Sequence, residues 1–278
     1  MPGVTKLRLA TWNIFSGRTR EGDRVDLDLT LATLRALDAD VVALQEVDRD
    51  QDRSGRADQA RVLADGLGMG WRFAPALSGT PGGAAEPPPP GAPDPGGAAY
   101  GVALLSRLPL GREETVRLPR AGRDEPRVAL VAAAGRPTPL TVAATHLTFV
   151  PGSNAGQLRA LQRHLAAWPP PRLLLGDLNL WLPLVRAVSL PGWRPLARGR
   201  TWPNRPPATV RPEVQLDHVL ASGPGVRLRR SRVQAGPASD HRAVVVEVEL
   251  DLPDPAATTT GARTRTRRSA RRTGPRTP

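Results

Sequence analysis

Short apolar runs of strand length recur along this chain, and five of them abut residues suited to metal or phosphate. Asn13 follows Leu-Ala-Thr-Trp, Glu46 follows Val-Val-Ala-Leu-Gln, His146 follows Val-Ala-Ala-Thr, and Asp177 with Asn179 follows Leu-Leu-Leu-Gly, while Ser239-Asp240-His241 precedes a run. Between the first two runs Leu27, Leu31, Leu34 and Leu37 recur at helical spacing, so the chain opens as strand (Leu7 to Ile14), helix, strand (Val41 to Leu44). In a layered α/β protein the strand ends converge on one rim, where rigid elements can hold a constellation of reacting groups.

The same reading gives strands at Gly101–Leu105, Arg127–Ala133, Leu140–Thr145, Arg172–Leu175, Val214–Ala221 and Ala243–Leu250, with a helix marked by Leu158, Leu161, Leu165 and Trp168. A Gly/Pro/Ala stretch from Ser78 to Ala99 sustains neither ladder and reads as a flexible surface insertion. From Pro253 onward Pro, Thr, Gly and Arg replace every large apolar residue, which predicts a disordered tail. A chain of 278 residues can bury one substantial core, so one catalytic domain is expected over 1–252, followed by the Arg-rich tail 253–278.

There is no cysteine, which excludes disulfides and thiolate zinc sites and directs any metal to oxygen or imidazole ligands. The net charge of +13 invites a polyanion, but seven arginines lie beyond Gly261 and the last acidic residue is Asp254, so the total overstates the charge of the folded body. No apolar signal core opens the chain and no apolar run reaches membrane length. The expectation is a monomer in the cytoplasm without stable membrane association.

Each polar residue alone has an ordinary explanation. Asn13 could be a turn former, Glu46 a solvated strand-end charge, His146 a satisfied rim histidine, and Asp177 with Asn179 an Asx turn. Ser239-Asp240-His241 is harder to dismiss, because a carboxylate and an imidazole placed before a buried strand cost desolvation. Their order along the chain decides. Thr11-Trp12-Asn13, Leu44-Gln45-Glu46, Thr145-His146-Leu147, Gly176-Asp177-Leu178-Asn179, Leu216-Asp217-His218 and Ser239-Asp240-His241 resemble the successive blocks of the endonuclease/exonuclease/phosphatase superfamily, the fold class of pancreatic deoxyribonuclease. Gly101 to Arg107 and Thr201-Trp202-Pro203 resemble its intervening landmarks, and the likeness spans nearly all of residues 5–250.

The resemblance implies an α/β (α+β) four-layer sandwich, with two mixed β-sheets face to face and helices outside. It implies Glu46 as the main carboxylate for Mg2+, with Mn2+ as a possible substitute, supported by Asn13 and Asp240. By the same resemblance Asp177 orients or deprotonates the attacking water, Asn179 holds a phosphoryl oxygen, and His241 hydrogen-bonds the phosphoryl group or acts as base; which of Asp177 and His241 takes the proton stays open. Asp217 accepts from the His241 ring. His146 serves as acid for the leaving oxygen, and Glu125 of Glu125-Pro126 pairs with it. Arg107 and Arg127 are the basic residues near these blocks. His218 and His164 carry no catalytic assignment.

The chemistry so implied is in-line hydrolysis of a phosphodiester by an activated water. Nucleic acid is the favoured substrate, because the superfamily the chain resembles holds many nucleases and the basic tail would help; against it, aromatics do not alternate with basic residues, and only Trp181, Trp193 and Trp202 lie on rim loops where bases could stack. Sphingomyelinase-like and inositol-phosphate chemistry are the alternatives, and a silent binding module is disfavoured by the intact residue set.

Overall fold

A computed structural model describes residues 4–81, 96–120, 122, 124–135, 139–204 and 213–251. In chain order the elements are β1 (Val4–Asn13), α1 (Leu27–Leu37), β2 (Val41–Arg49), α2 (Gln59–Leu67), β3 (Gly70–Ser78), β4 (Ala99–Ser106), β5 (Leu110–Arg117), β6 (Val128–Ala134), β7 (Leu140–His146), α3 (Ser153–Leu165), β8 (Arg172–Asp177), α4 (Leu182–Val188), β9 (Trp193–Pro195), β10 (Asp217–Ser222), β11 (Val226–Gln234) and β12 (Ala243–Asp251). Most of the insertion and all of the tail expected from sequence lie outside the described residues.

The strands form two six-stranded sheets, ordered β11-β12-β1-β2-β4-β3 and β5-β6-β7-β8-β10-β9. Each sheet is mixed and carries one parallel pair: β1 with β2, joined through α1, and β7 with β8, joined through α3. All other pairings are antiparallel.

Alternation along the strands separates three cores. Leu7 and Leu9 of β1, Val142 and Ala144 of β7, Leu173 and Leu175 of β8, and Val219 and Ala221 of β10 meet between the sheets. The opposite face of the first sheet, with Ala10, Trp12, Val42 and Leu44, packs on Leu34, Leu37 and Leu63 of α1 and α2. The outer face of the second, with Ala143, Leu174 and Leu220, packs on Leu158, Leu161 and Leu165 of α3. The result is helix, sheet, sheet, helix: the four layers expected.

Boundaries differ from the sequence reading where burial outlasts an element. Trp168 was expected to close the third helix, but α3 ends at Leu165, and Trp168 packs into the same core from the following turn. Val214, expected to begin a strand, makes an isolated bridge to Trp202, and the strand proper starts at Asp217.

Candidate active site

Parity along the strands places the site. Asn13, His146, Asp177 and Asp217 fall in step with Leu9, Ala144, Leu175 and Val219, so they continue the inter-sheet core to its upper edge. Asn13, His146 and Asp177 close the C-terminal ends of parallel strands, where α/β sheets bind ligands. Asp217 begins its strand, yet β10 runs antiparallel to β8 and Asp217 stands opposite Asp177. For the same reason His241, which precedes β12, returns to the Asn13 end of β1. This explains why Ser239-Asp240-His241 comes before its apolar run while the other groups come after theirs.

Glu46 breaks the pattern. It lies within β2 rather than at its end, at a β-bulge where pairing with β4 shifts between Leu44 and Val47. Strict alternation would turn Glu46, like Val42 and Leu44, toward the helices; instead Val47 takes that place in the outer core. The left-handed φ of 55° at Glu46 turns its carboxylate to the rim. Asn179 (φ 48°) and Ser239 (φ 59°) are also left-handed, so three site residues hold a backbone conformation that costs roughly 1–2 kcal/mol each for an L-residue.

One hydrogen-bonded network joins the groups. Asn13 Oδ1 accepts from Phe15 N at 3.0 Å, which fixes the amide so that Nδ2 faces Glu46 Oε1 (2.9 Å) and Asp177 Oδ2 (3.2 Å). Asn13 was expected as a metal ligand; in this arrangement it bridges two carboxylates through its nitrogen. Asp177 Oδ1 accepts from Asn179 N at 3.0 Å, and its Oδ2 lies 3.5 Å from His146 Nε2 and 3.8 Å from His241 Nε2. Asp217 Oδ2 sits 2.9 Å from His241 Nδ1, while its buried Oδ1 has no hydrogen-bond partner. Asn179 Nδ2 donates to Leu147 O at 2.9 Å and lies 3.3 Å from His146 Nε2. Asp240 Oδ2 accepts from Trp202 Nε1 at 3.3 Å.

Connections from the backbone hold the frame. Trp12 Nε1 donates to His241 O (3.0 Å) and Ser239 Oγ to Asn13 O (2.6 Å), fastening the first strand to the last. Thr201 Oγ1 accepts from Leu216 N and Asp217 N, which sets the approach to β10.

Charge is unevenly balanced here. Burial, reinforced by Asp217, pushes the Asp177 carboxyl up to about 6. Burial alone would lower His241, but Asp217 and Asp177 carry it up to about 10. Glu46 is raised by burial against the Asn13 hydrogen bond, with Asp240 and Asp177 adding to the rise. His146 is held well below 6.5 by burial and by Arg127. Carboxylates thus outnumber cations, and the donors are oxygens and imidazoles, so the site fits a hard divalent cation. Asp177, Asp217 and His241 offer ligand atoms within 4.8 Å of one another, but Asp217 and His241 already hold each other by hydrogen bond. Glu46, half-buried with Asp240 acting on it, is the more open carboxylate.

Several expected neighbours stand elsewhere. Glu125 contacts Arg127 (3.1 Å to Nη1), and among the described residues no hydrogen bond joins it to His146. Arg107 pairs with Asp38 and Asp40 beyond Ser106, which is opposite Val41 and hence at the far end of the sheet. Trp193 pairs with Ser222, also at the far end. Trp181 is 56% exposed on the loop beyond Asn179, and Phe149, 68% exposed, lies beyond His146 on the neighbouring strand end. His218 is buried, with Nε2 2.8 Å from Leu180 O, and burial lowers it to about 4. Sequence reasoning missed Arg53 and Tyr100 near Glu46, because no motif marks them.

The architecture is a two-sheet sandwich with acidic and imidazole groups gathered on one rim. The sequence matches the endonuclease/exonuclease/phosphatase family over residues 10–241, and the chain belongs to that family. No curated protein sequence matches it. Among solved structures it resembles an endonuclease/exonuclease/phosphatase from Beutenbergia cavernae DSM 12333 (26% identity, 88% of this chain and 72% of that one, TM-score 0.67). It also resembles the D. rerio TDP2 complexed with single-strand DNA product (17% identity, 88% and 99% covered, TM-score 0.63). A third likeness is to a mannosyl-6-phosphatase of Bacteroides thetaiotaomicron VPI-5482 (16% identity, 87% and 99% covered, TM-score 0.64).

Proposed function

We propose that the chain is a magnesium-dependent hydrolase of phosphodiesters, with nucleic acid as substrate. The observation that carries the choice of a diester is the charge of the site. Glu46, Asp177, Asp217 and Asp240 converge there, whereas Arg53 and Arg127, the arginines acting on nearby site groups, are each held against a carboxylate. A dianionic monoester would meet repulsion in such a site, and a monoanionic diester meets less. Glu46 and Asp240 would hold the ion, which would supply neutralisation of the phosphoryl oxygens.

Asp177, fixed by Asn179 N and Asn13 Nδ2, receives a proton from the attacking water. His241, oriented by Asp217, directs Nε2 toward the phosphoryl group. Asn179 Nδ2, which donates to Leu147 O and contacts His146 Nε2, would turn its second N–H from that ring to a phosphoryl oxygen. His146, held well below its ordinary range by burial and by Arg127, stands 3.5 Å from Asp177 and would pass a proton to the leaving oxygen. Nucleic acid is supported by the exposed aromatic rings of Phe149 and Trp181 on the rim, which offer stacking surfaces to bases. No helix among the described residues is long and apolar enough to cross a membrane; the cytoplasmic address and monomeric state stay with this proposal.

The test is a comparison of bis(p-nitrophenyl) phosphate, p-nitrophenyl phosphate and plasmid DNA with magnesium, with manganese, and with chelator. Cleavage of the diester and of DNA, lost on chelation, is expected. Release of phosphate from the monoester with both diesters intact overturns the reading.

A further inference from the structure

Two guanidiniums beside Glu46 enter the charge balance above only through the carboxylates that hold them, and each keeps further N–H donors. Arg53 stands on the turn Asp52–Ser54, gripped by the buried Asp48 through Nε (2.9 Å) and Nη2 (2.7 Å). It lies 5.3 Å over the Tyr100 ring. The grip occupies one edge of the fork and leaves Nη1 on the other. Arg127 is only 7% exposed. Its Nη1 is 3.1 Å from Glu125 Oε1, close enough for charge pairing but out of line for a hydrogen bond, because that Oε1 and the Arg127 Nε are both buried without a hydrogen-bond partner. A buried guanidinium with an unmet N–H is costly unless a ligand supplies the acceptor.

The strands bring the two together. Tyr100 stands opposite Asp48 on β4 and is in step with Val102 and Leu104, which face the second sheet. Val128, next to Arg127, enters the same inter-sheet core. Glu46, Glu125, Arg127 and Arg53 all act on the Tyr100 phenol, so the five groups share one compartment.

We propose that Arg53 and Arg127, with the Tyr100 ring beneath Arg53, form a second anion subsite that holds the phosphate next to the scissile one along a nucleic-acid strand. The subsite rests on the phosphodiesterase reading above. Guanidinium forks match phosphate oxygens in pairs, and each arginine here keeps donors unused by its carboxylate. Glu125 then acts as the competitor that phosphate must displace from Arg127.

The experiment uses the full chain with magnesium and three dithymidylates: TpT, pTpT and TpTp. Inositol 1,4-bisphosphate serves as a free two-phosphate competitor, and bis(p-nitrophenyl) phosphate as a diester with no neighbouring phosphate. The wild type is expected to favour one terminally phosphorylated dinucleotide over TpT at least tenfold in kcat/KM. Arg53→Gln and Arg127→Lys should each shrink that ratio, through KM, and Glu125→Gln should enlarge it. Each arginine variant should also lower the slope of log KM against log salt for a longer oligonucleotide by about one. Should Arg127→Lys fail to fold, the wild-type ratio and the Glu125→Gln shift still decide. Equal cleavage of all three dinucleotides, or a fall in the ratio with Glu125→Gln, overturns the subsite. Inhibition by the inositol bisphosphate stronger than by pTpT overturns its assignment to a nucleic-acid strand. Failure to cleave even bis(p-nitrophenyl) phosphate strikes the phosphodiesterase reading itself, and the subsite falls with it.

Discussion

Glu46 shows how a single residue can be read correctly by type and wrongly by place. Its position after Val-Val-Ala-Leu-Gln suggested a strand end, whereas the strand continues to Arg49 and a bulge frees the side chain. Nothing in the run announces a left-handed residue, because a bulge is specified by the partner strand as much as by its own sequence. Asn13, Asp177 and His241 were legible because each adjoins an apolar run whose parity is fixed by burial, whereas Asp217, inside an expected strand, was named only through the family resemblance. Arg53 and Tyr100 were not, since their meeting depends on the turn Asp52–Ser54 and on the register of β2 with β4. Substituting Glu46→Gln keeps the shape and removes the anionic charge; magnesium-dependent kcat should fall by more than tenfold, about 1.4 kcal/mol of barrier, with an unchanged circular dichroism spectrum. Retained activity would transfer the metal to other groups. His218 offers a separate check at the scale of one proton. Its folded pKa of about 4 lies below the ordinary 6.5, so the unfolded chain binds a proton first as pH falls. The stabilisation is therefore complete above 6.5 and is lost between 6.5 and 4, a change on the order of 3 kcal/mol. Denaturant midpoints measured across this window should drop less steeply in His218→Gln than in the wild type.

Interior strands were read from sequence, whereas the edge strands and the short helix α2, whose Ala60, Leu63 and Ala64 are buried, were not. β5 and β11 carry Arg112, Glu113 and Arg227 to Arg230 outward at the borders of their sheets, so they lack the apolar run that marks an interior strand. α4 carries Pro183 as its second residue, which is tolerated in a first turn but reads as a breaker. The interior pair β7 and β8 makes a sharper prediction. A Cβ on Gly176 would lie 2.0 Å from Thr145 O, backbone against backbone, with no flexible side chain to yield. Gly176→Ala must then separate two strands whose tips hold His146 and Asp177, and a loss of several kcal/mol together with most of the activity is expected. Thermal melting and turnover should fall together. A variant that melts normally and keeps wild-type turnover would mean that β8 shifts without cost.

At the scale of the molecule, the reacting groups are the last layer of the inter-sheet core, so packing and chemistry should respond to the same substitutions. Leu175, fully buried two residues before Asp177, tests this directly. Leu175→Ala should cost about 2–5 kcal/mol in urea unfolding through the cavity it leaves. It should also lower kcat at temperatures well below melting, because Asp177 then lacks a wall beneath it; an unchanged kcat would show that the rim is rigid without its core. The pairing of the first strand with the last has a consequence for the making of the protein. β12 lies between β1 and β11, and the carbonyl of His241 receives the Trp12 indole. While a ribosome is still adding residues before Asp240, the nascent chain lacks both this strand and His241, and β1 has an open flank. The reacting groups can therefore assemble only after β12 has been made and has closed that flank.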